Sequence, residues 1–509
     1  MAAPLGDVTP YLVTLVMVAT LGPLQFGYHL AELNAPQDVI TCEKKAITHT
    51  STLDKLLAMG SSSKAEAVAL PDCIPMSPAA FATVSAMFTV GGLIGALAAG
   101  PFTSKYGRRR AMQATALFYL IGSAIETAAA SVLVMAVARF FTGVGAGAST
   151  VIVPLYISEV APPSKRGFFG AFTQISINIG ILFTQTLGFF LSHDSAWRWI
   201  FGTGVIIAFA QASGLMIIPE SPAWTATARG DVANARRILQ SIRGKHSDIG
   251  DEVDAWGAGD SRSAGERGRL LDEDVEGSLL QSPTSSRQQN SHLGFVQVVR
   301  DPACRPAIIA VVGIMFAQQL CGINSIIMYS VSLLKDLLPV SSALLTIIIS
   351  IINLGTTMAA SPLPDRLGRK TCILASIVGQ GSSSLALALS IRFDLKILSA
   401  IAVLFFVAFF AIGLGPVPFI MASELVGPEA VGATQSWALG ANYVATFLVA
   451  YLFPIVNEAL NSTLGGAGWV YFIFAGFALL FASFVLRNVP ETKGKKDADE
   501  VWGRVRRTD

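Results

Sequence analysis

The feature that most constrains this chain is a recurrence of apolar runs, each close to the length of a membrane span. An α-helix needs about 20 apolar residues to cross the hydrocarbon core of a bilayer, and a backbone without water has few other ways to satisfy its polar groups there. Hydropathy and charge breaks place twelve such runs, at about 11–33, 79–100, 111–130, 132–156, 168–191, 197–218, 305–331, 342–362, 371–390, 397–424, 432–454 and 468–487. Only 14% of the 509 residues are charged, against about 25% in soluble proteins. The expected fold is an all-α integral membrane protein with twelve transmembrane helices.

Charge sets the expected orientation. Most of the 36 Lys and Arg fall in the loops that follow even-numbered runs and in the tail, Lys105, Arg108 to Arg110, Lys165, Arg166, Arg366, Arg369 and Lys370 among them. The positive-inside rule puts those loops and both termini in the cytoplasm. A net charge of +2 carries no message about nucleic acid. The first run lacks a basic leader and a small-residue cleavage site, so it reads as a retained helix. Cys42 and Cys73 share the first outer loop, where an oxidising compartment permits a bridge whose geometry the sequence leaves open. Asn461-Ser462-Thr463 is a glycosylation sequon in the last outer loop.

The chain repeats itself weakly. Gly107-Arg108-Arg109 follows the second run, and Gly368-Arg369-Lys370 follows the eighth. Glu159 ends the fourth and Glu424 the tenth. Pro219-Glu220-Ser221-Pro222 closes the sixth, and Pro490-Glu491-Thr492-Lys493 the twelfth. These landmarks imply two pseudo-symmetric six-helix bundles, residues 1–219 and 304–488, joined by a cytoplasmic linker at 220–303 and followed by a tail at 489–509. Parallel halves of this kind place a substrate site between them near the midplane. In the linker, Asp231 to Arg243 suits a short amphipathic helix, and 245–289 has the composition of a disordered insert. Glu266, Leu270 and Leu271 within it fit an acidic dileucine pattern read by sorting adaptors; a solvated linker is the alternative. The membrane is therefore expected to be the plasma membrane or a vacuolar one.

Polar residues inside the runs carry the function. Gln318-Gln319-Leu320-Cys321-Gly322-Ile323-Asn324 interrupts the seventh. An amide is both donor and acceptor, which suits a neutral, hydroxyl-rich cargo, and polar side chains at membrane depth face a bundle interior or a cavity. On an unbroken helix, at ~100° per residue, Gln318 and Asn324 would project about 120° apart; Gly322 offers a break. Glu32 and Glu126 are intramembrane carboxylates. Nothing resembles a metal cluster, a nucleophile with its base, or a phosphate loop: Gly143-x-Gly145-x-Gly147 reads as a small-residue packing surface. No enzyme, cofactor or metal is expected.

In order and spacing these blocks resemble the sugar porter (glucose-transporter-like) family of the major facilitator superfamily, and point to a fungal-type member. The resemblance rests on Arg139 to Gly147 before Pro154-Leu155-Tyr156-Ile157-Ser158-Glu159, the PESP block, the QQLCGIN block, Asp365 to Lys370, Gly415-Pro416-Val417-Pro418 and the PETKG block. It implies a monomer that moves a monosaccharide, a hexose such as glucose, or a related polyol by alternating access, passively or with protons. A sugar sensor on the same fold is the alternative.

By the same resemblance the ligand amides are Gln174, Gln318, Gln319, Asn324, Asn353 and Asn442, each with interhelical bonding as its other reading. Tyr329 is an outer-gate candidate. Phe419 and Tyr443 stand where glucose carriers often have Trp, Ala411 where they have Glu, and Thr446 where they have a further Asn. A cytoplasmic latch is implied for Arg108, Arg109, Glu159, Arg166, Glu220, Arg366, Arg369, Glu424 and Glu491. It departs from the family pattern at Ser104-Lys105 and in lacking an Arg after Glu424. The proton-coupled members' Asp–Arg pair corresponds to His29 and Arg139, which favours facilitated diffusion and leaves open a proton route through His29, Glu32 or Glu126.

Overall fold

The computed structural model describes residues 9–42, 70–162, 165–244, 247–250, 252–253, 256, 297–334, 342–427, 430–495 and 498–503. Glu266, Leu270 and Leu271, with most of the expected disordered insert, lie outside the described residues.

Twelve spans are present among the described residues. The first six are Pro10–Ala31, Pro78–Tyr106, Arg108–Thr127, Val132–Val160, Arg166–Leu191 and Arg198–Ile217. The seventh is Arg305–Leu320 continued by Ile323–Leu334, and the eighth is Ser342–Ala360. The ninth is Arg369–Arg392, the tenth Lys396–Ile412 continued by Val417–Glu424, the eleventh Val431–Leu464 and the twelfth Trp469–Asn488. Ten qualify as membrane-crossing on length and hydropathy alone; the third, opened by three arginines, and the short eighth complete the set. Local chemistry starts the helices where they start. Thr9 and Ser77 accept the Leu12 and Ala80 N–H groups as N-caps, and proline follows each cap, where its missing N–H costs nothing.

One boundary differs from expectation in a way that matters. The eleventh span runs ten residues beyond its apolar stretch, to Leu464, because Asn457, Glu458 and Asn461 end the hydropathy signal without ending the backbone hydrogen bonding. Asn461 therefore lies half-buried in the last turn of a helix rather than in the outer loop.

Each half is a bundle. In the first, the fourth span packs on the second and third, and the first on the fourth, fifth and sixth; in the second, the ninth packs on the tenth and twelfth, and the seventh on the eleventh and twelfth. The halves meet along the second and eleventh spans, the fifth and eighth, and the first and seventh. The repeat is also visible in the turns. Gly107 and Gly368 join the second to third and eighth to ninth spans with φ of 95° and 105°, a region that disfavours a Cβ. A Cβ there would also strike Glu220 and Glu491 respectively.

The segments that follow each bundle repeat too. The linker helix Val232–Arg243 lies under the first half, and Arg243 Nη1 donates to the Val160 carbonyl at 2.6 Å, next to Glu159. The tail helix Ala498–Val501 lies under the second, and Trp502 Nε1 donates to the Leu425 carbonyl at 3.0 Å, next to Glu424. The last carbonyls of a helix have no intrahelical partner; here each half closes the same one with a side chain from its own following segment.

Candidate functional site

The seventh span breaks between Leu320 and Ile323, with Gly322 at φ 102°. The break brings the amides together. Asn324 Nδ2 donates to Gln319 Oε1 at 2.6 Å and to Thr446 Oγ1 at 3.4 Å. Gln319 Nε2 donates to Gln318 Oε1 at 3.4 Å, and Asn442 Nδ2 donates to the same oxygen. Gln318 Nε2 faces the second break, in the tenth span, and donates to the Leu414 and Gly415 carbonyls at 2.5 and 3.2 Å. Two interruptions thus meet, and Gln318 satisfies carbonyls that the second one frees.

A second polar group lies between the halves on the fifth and eighth spans. Gln174 Nε2 donates to Asn178 Oδ1 at 3.3 Å, Asn178 Nδ2 to Thr357 Oγ1 at 2.9 Å, and Thr357 Oγ1 to the Asn353 carbonyl at 2.7 Å. Thr346 Oγ1 reaches Gln185 Oε1 at 3.4 Å. Beside these contacts lies a small cavity lined by Gln185, Thr346, Ser350 and Asn353 with isoleucines from three spans. Tyr443, 4% exposed, packs with Ala96 and Leu439 beside Phe419, and its ring lies over Gly92 of the second span. It is a contact between halves as much as a pocket wall. Ala411 is buried in the tenth span, and the Tyr329 side chain lies outside the described residues.

Inside the first half sits a buried charged cluster. Arg139 Nη1 donates to Glu32 Oε1 at 2.5 Å and to the His29 carbonyl at 2.6 Å, and its guanidinium stands 4.5 Å from the Phe88 ring centroid. His29 Nδ1 is 2.8 Å from Glu32 Oε2 and 3.8 Å from Glu126 Oε2, and its Nε2 is 3.3 Å from Ser123 Oγ. Glu126 Oε1 accepts from Thr142 at 3.1 Å. His29, Glu32, Glu126 and Arg139 are all at most 1% exposed, while Glu126 Oε2 and the Arg139 Nε and Nη2 groups lack hydrogen-bond partners.

At the ends of the bundles that carry the Gly-Arg turns, the ion pairs among the described residues stay within their own halves. Arg108 forks onto Glu159 at 2.9 and 2.8 Å, and Glu220 Oε1 accepts the Arg108 and Arg109 backbone N–H groups. Arg109 extends its guanidinium to the Ile218 carbonyl. In the second half Arg369 pairs with Glu424 and Asp365, and Glu491 accepts the Arg369 and Lys370 N–H groups. Thr492 Oγ1 donates to Glu424 Oε2 at 2.5 Å, on the carboxylate that lacks the expected downstream Arg. Arg366 supplies its carbonyl to Lys493 Nζ. The Arg166 side chain lies outside the described residues. At the opposite end Cys42 and Cys73 form a disulfide. The chain beside Cys73 is held by Trp197 Nε1 on the Asp72 carbonyl and Arg198 Nη2 on that of Pro71, both at 2.7 Å.

The model of the family described as "Sugar (and other) transporter" matches residues 15–499. The chain belongs to that family. It is 34% identical to "Probable metabolite transport protein YBR241C" of Saccharomyces cerevisiae over 97% of this chain and 96% of that one. It is 30% identical to the yeast "Vacuolar protein sorting-associated protein 73", covering 96% and 95%, and to the human "facilitated glucose transporter member 3", covering 97% and 92%. Among solved structures, the partially occluded inward-open xylose transporter XylE from E. coli superposes with a TM-score of 0.70 at 23% identity, over 96% of this chain and 100% of that one. That likeness establishes the twelve-helix major facilitator fold. This sugar transporter family member is a membrane carrier and not an enzyme.

Within that family frame, Gln318, Gln319, Asn324 and Asn442 form one connected group, and Gln174 with Asn353 flank another. Sequence reasoning passed over Asn178, Thr357, Gln185 and Thr346. A signal was available for the first: Asn178 lies one turn from Gln174 on the same helix face.

Proposed function

We propose that the protein carries a neutral monosaccharide or related polyol across the membrane by alternating access, with both termini cytoplasmic. The observation that carries this reading is the joined amide group on the broken seventh span, Gln318, Gln319, Asn324 and Asn442, together with Thr446. Uncharged donors and acceptors complement hydroxyls, and each bond contributes about 0.5–1.5 kcal/mol net, so cargo is held weakly enough to leave. Family membership and the names of the glucose-transporter relatives support a sugar as the cargo class. Gln174 and Asn353 extend the binding surface toward the fifth and eighth spans, and Phe419 and Tyr443 supply apolar faces for a sugar ring.

A specific observation favours proton coupling over facilitated diffusion. The cluster holds one permanent cation, Arg139, and two carboxylates, Glu32 and Glu126, around His29, all out of water. Burying unbalanced charge costs several kcal/mol, so electrical neutrality there needs one proton shared among the two carboxylates and the histidine.

Uptake into proteoliposomes across a panel of hexoses, pentoses and hexitols, with and without an imposed pH gradient, tests both readings. Saturable uptake of at least one member supports transport, and its dependence on the gradient supports coupling. A protein that binds a panel member yet moves none is a sensor, and the transport reading is then wrong.

A further inference from the structure

Two hydrogen bonds near the cavity between the fifth and eighth spans cross from one half of the protein to the other. Asn178, Ile181 and Gln185 are spaced by three and four residues, which puts them on one face of the fifth span. Thr346, Ser350, Asn353 and Thr357 share one face of the eighth in the same way. Ile181, Gln185, Thr346, Ser350 and Asn353 line the cavity. Thr346 bonds Gln185 within that lining at 3.4 Å, and one helical turn from Ile181 and Asn353 the Asn178 amide donates to Thr357 at 2.9 Å. Asn178 is 2% exposed and Thr357 8%.

Resting on the sugar-or-polyol reading above, we propose that Asn178 is a specificity-determining residue. Its side-chain amide leaves Thr357 to take one hydroxyl of the cargo as the halves part at that end. The bonding at the two residues permits the exchange. Asn178 uses Oδ1 for Gln174 and Nδ2 for Thr357, so a cargo hydroxyl accepting from Nδ2 replaces one hydrogen bond by another. Thr357 keeps its donor bond to the Asn353 carbonyl at 2.7 Å when Asn178 leaves, so nothing on the eighth span is orphaned. The amide is also buried, with Asn178 2% exposed, and a buried polar group without a partner costs more than one exchanged between partners. Asn178 thus reads a hydroxyl by offering a place for it that an apolar or deoxygenated carbon cannot fill.

The test uses the full-length protein in proteoliposomes. The panel first identifies the best monosaccharide or hexitol, and its monodeoxy analogues are then compared as competitors. We expect wild type to lose roughly 3–10-fold in apparent affinity for one analogue, the value of one hydrogen bond. Asn178→Val loses that single discrimination and retains the others, while Thr357→Val, which removes only the resting partner, keeps it. Asn178→Ala makes the same comparison if the valine variant does not fold. A purely structural Asn178 weakens all analogues equally or lowers the amount of folded protein without altering their ranking. An unaltered ranking in Asn178→Val and Asn178→Ala overturns this inference alone. Failure of wild type to take up any panel member overturns the sugar reading, and this inference with it.

Discussion

Gln318 donates its side-chain amide to the carbonyl of Leu414, 2.5 Å away across the contact between the two interrupted spans. One side chain therefore belongs both to the amide group proposed to hold cargo and to the scaffold of the broken tenth span. Gln318→Ala leaves the buried Leu414 and Gly415 carbonyls unsatisfied, at a cost of about 1–3 kcal/mol. The expected result is a lower melting temperature of the purified protein together with lost uptake, both measurable on one preparation.

Asn324 differs, since its partners are the side chains of Gln319 and Thr446. Both can turn to other partners or to water. Asn324→Ala is expected to destabilise by about 1 kcal/mol or less while reducing uptake several-fold at constant folded protein. Unchanged uptake by this variant would remove Asn324 from the binding surface.

Glu126→Gln keeps an acceptor for Thr142 and removes one of the two carboxylates around Arg139. Accumulation driven by an inward proton gradient is expected to disappear, while sugar exchange at equal concentrations persists. Loss of both activities together would make Glu126 a structural residue. Arg139→Leu leaves Glu32 buried without its cation and is expected to cost about 3–5 kcal/mol, seen as loss of folded protein.

The Cys42–Cys73 bridge closes a sequence separation of 31 residues. Chain-entropy reasoning assigns it about 3–4 kcal/mol. Cys42→Ser, or reduction of the wild type, is expected to lower thermal stability by a comparable amount, and the two treatments applied together should have no additive effect.

Trp502→Phe keeps an aromatic ring under the tenth span and loses the N–H bond to the Leu425 carbonyl. Amide exchange near residues 425–427 is expected to quicken, by an amount set by about 1 kcal/mol. Trp502→Ala is expected to quicken it further. Exchange unchanged in both variants would show that the tail does not brace that helix end.

The sequence carried much of this architecture because membrane spans are written locally. A run of apolar residues must be a helix to satisfy its own backbone, so the positions and number of spans follow from hydropathy, and the Gly-Arg, Glu and Pro-Glu landmarks reveal the repeat. Even the break in the seventh span is legible at Gly322, since the amides on either side cannot otherwise face one cavity. The outer end of the eleventh span was not, because hydrogen bonding continues through Asn457 and Asn461 where hydropathy stops.

What the sequence by itself determined is the fold class, the family and the presence of uncharged amides within the spans, the chemistry of the proposed cargo site. Only the tertiary structure decided which polar groups meet. It paired Gln318 with carbonyls of a helix 96 residues away, and it placed Asn178 against Thr357 across the two halves. It gathered His29, Glu32, Glu126 and Arg139 into one dry cluster, and it kept the Arg108–Glu159 and Arg369–Glu424 pairs within their own bundles. The reason is physical. Burial of an apolar run depends on its own composition, whereas a hydrogen bond or an ion pair depends on two groups meeting within a few ångströms, which chain separation does not encode.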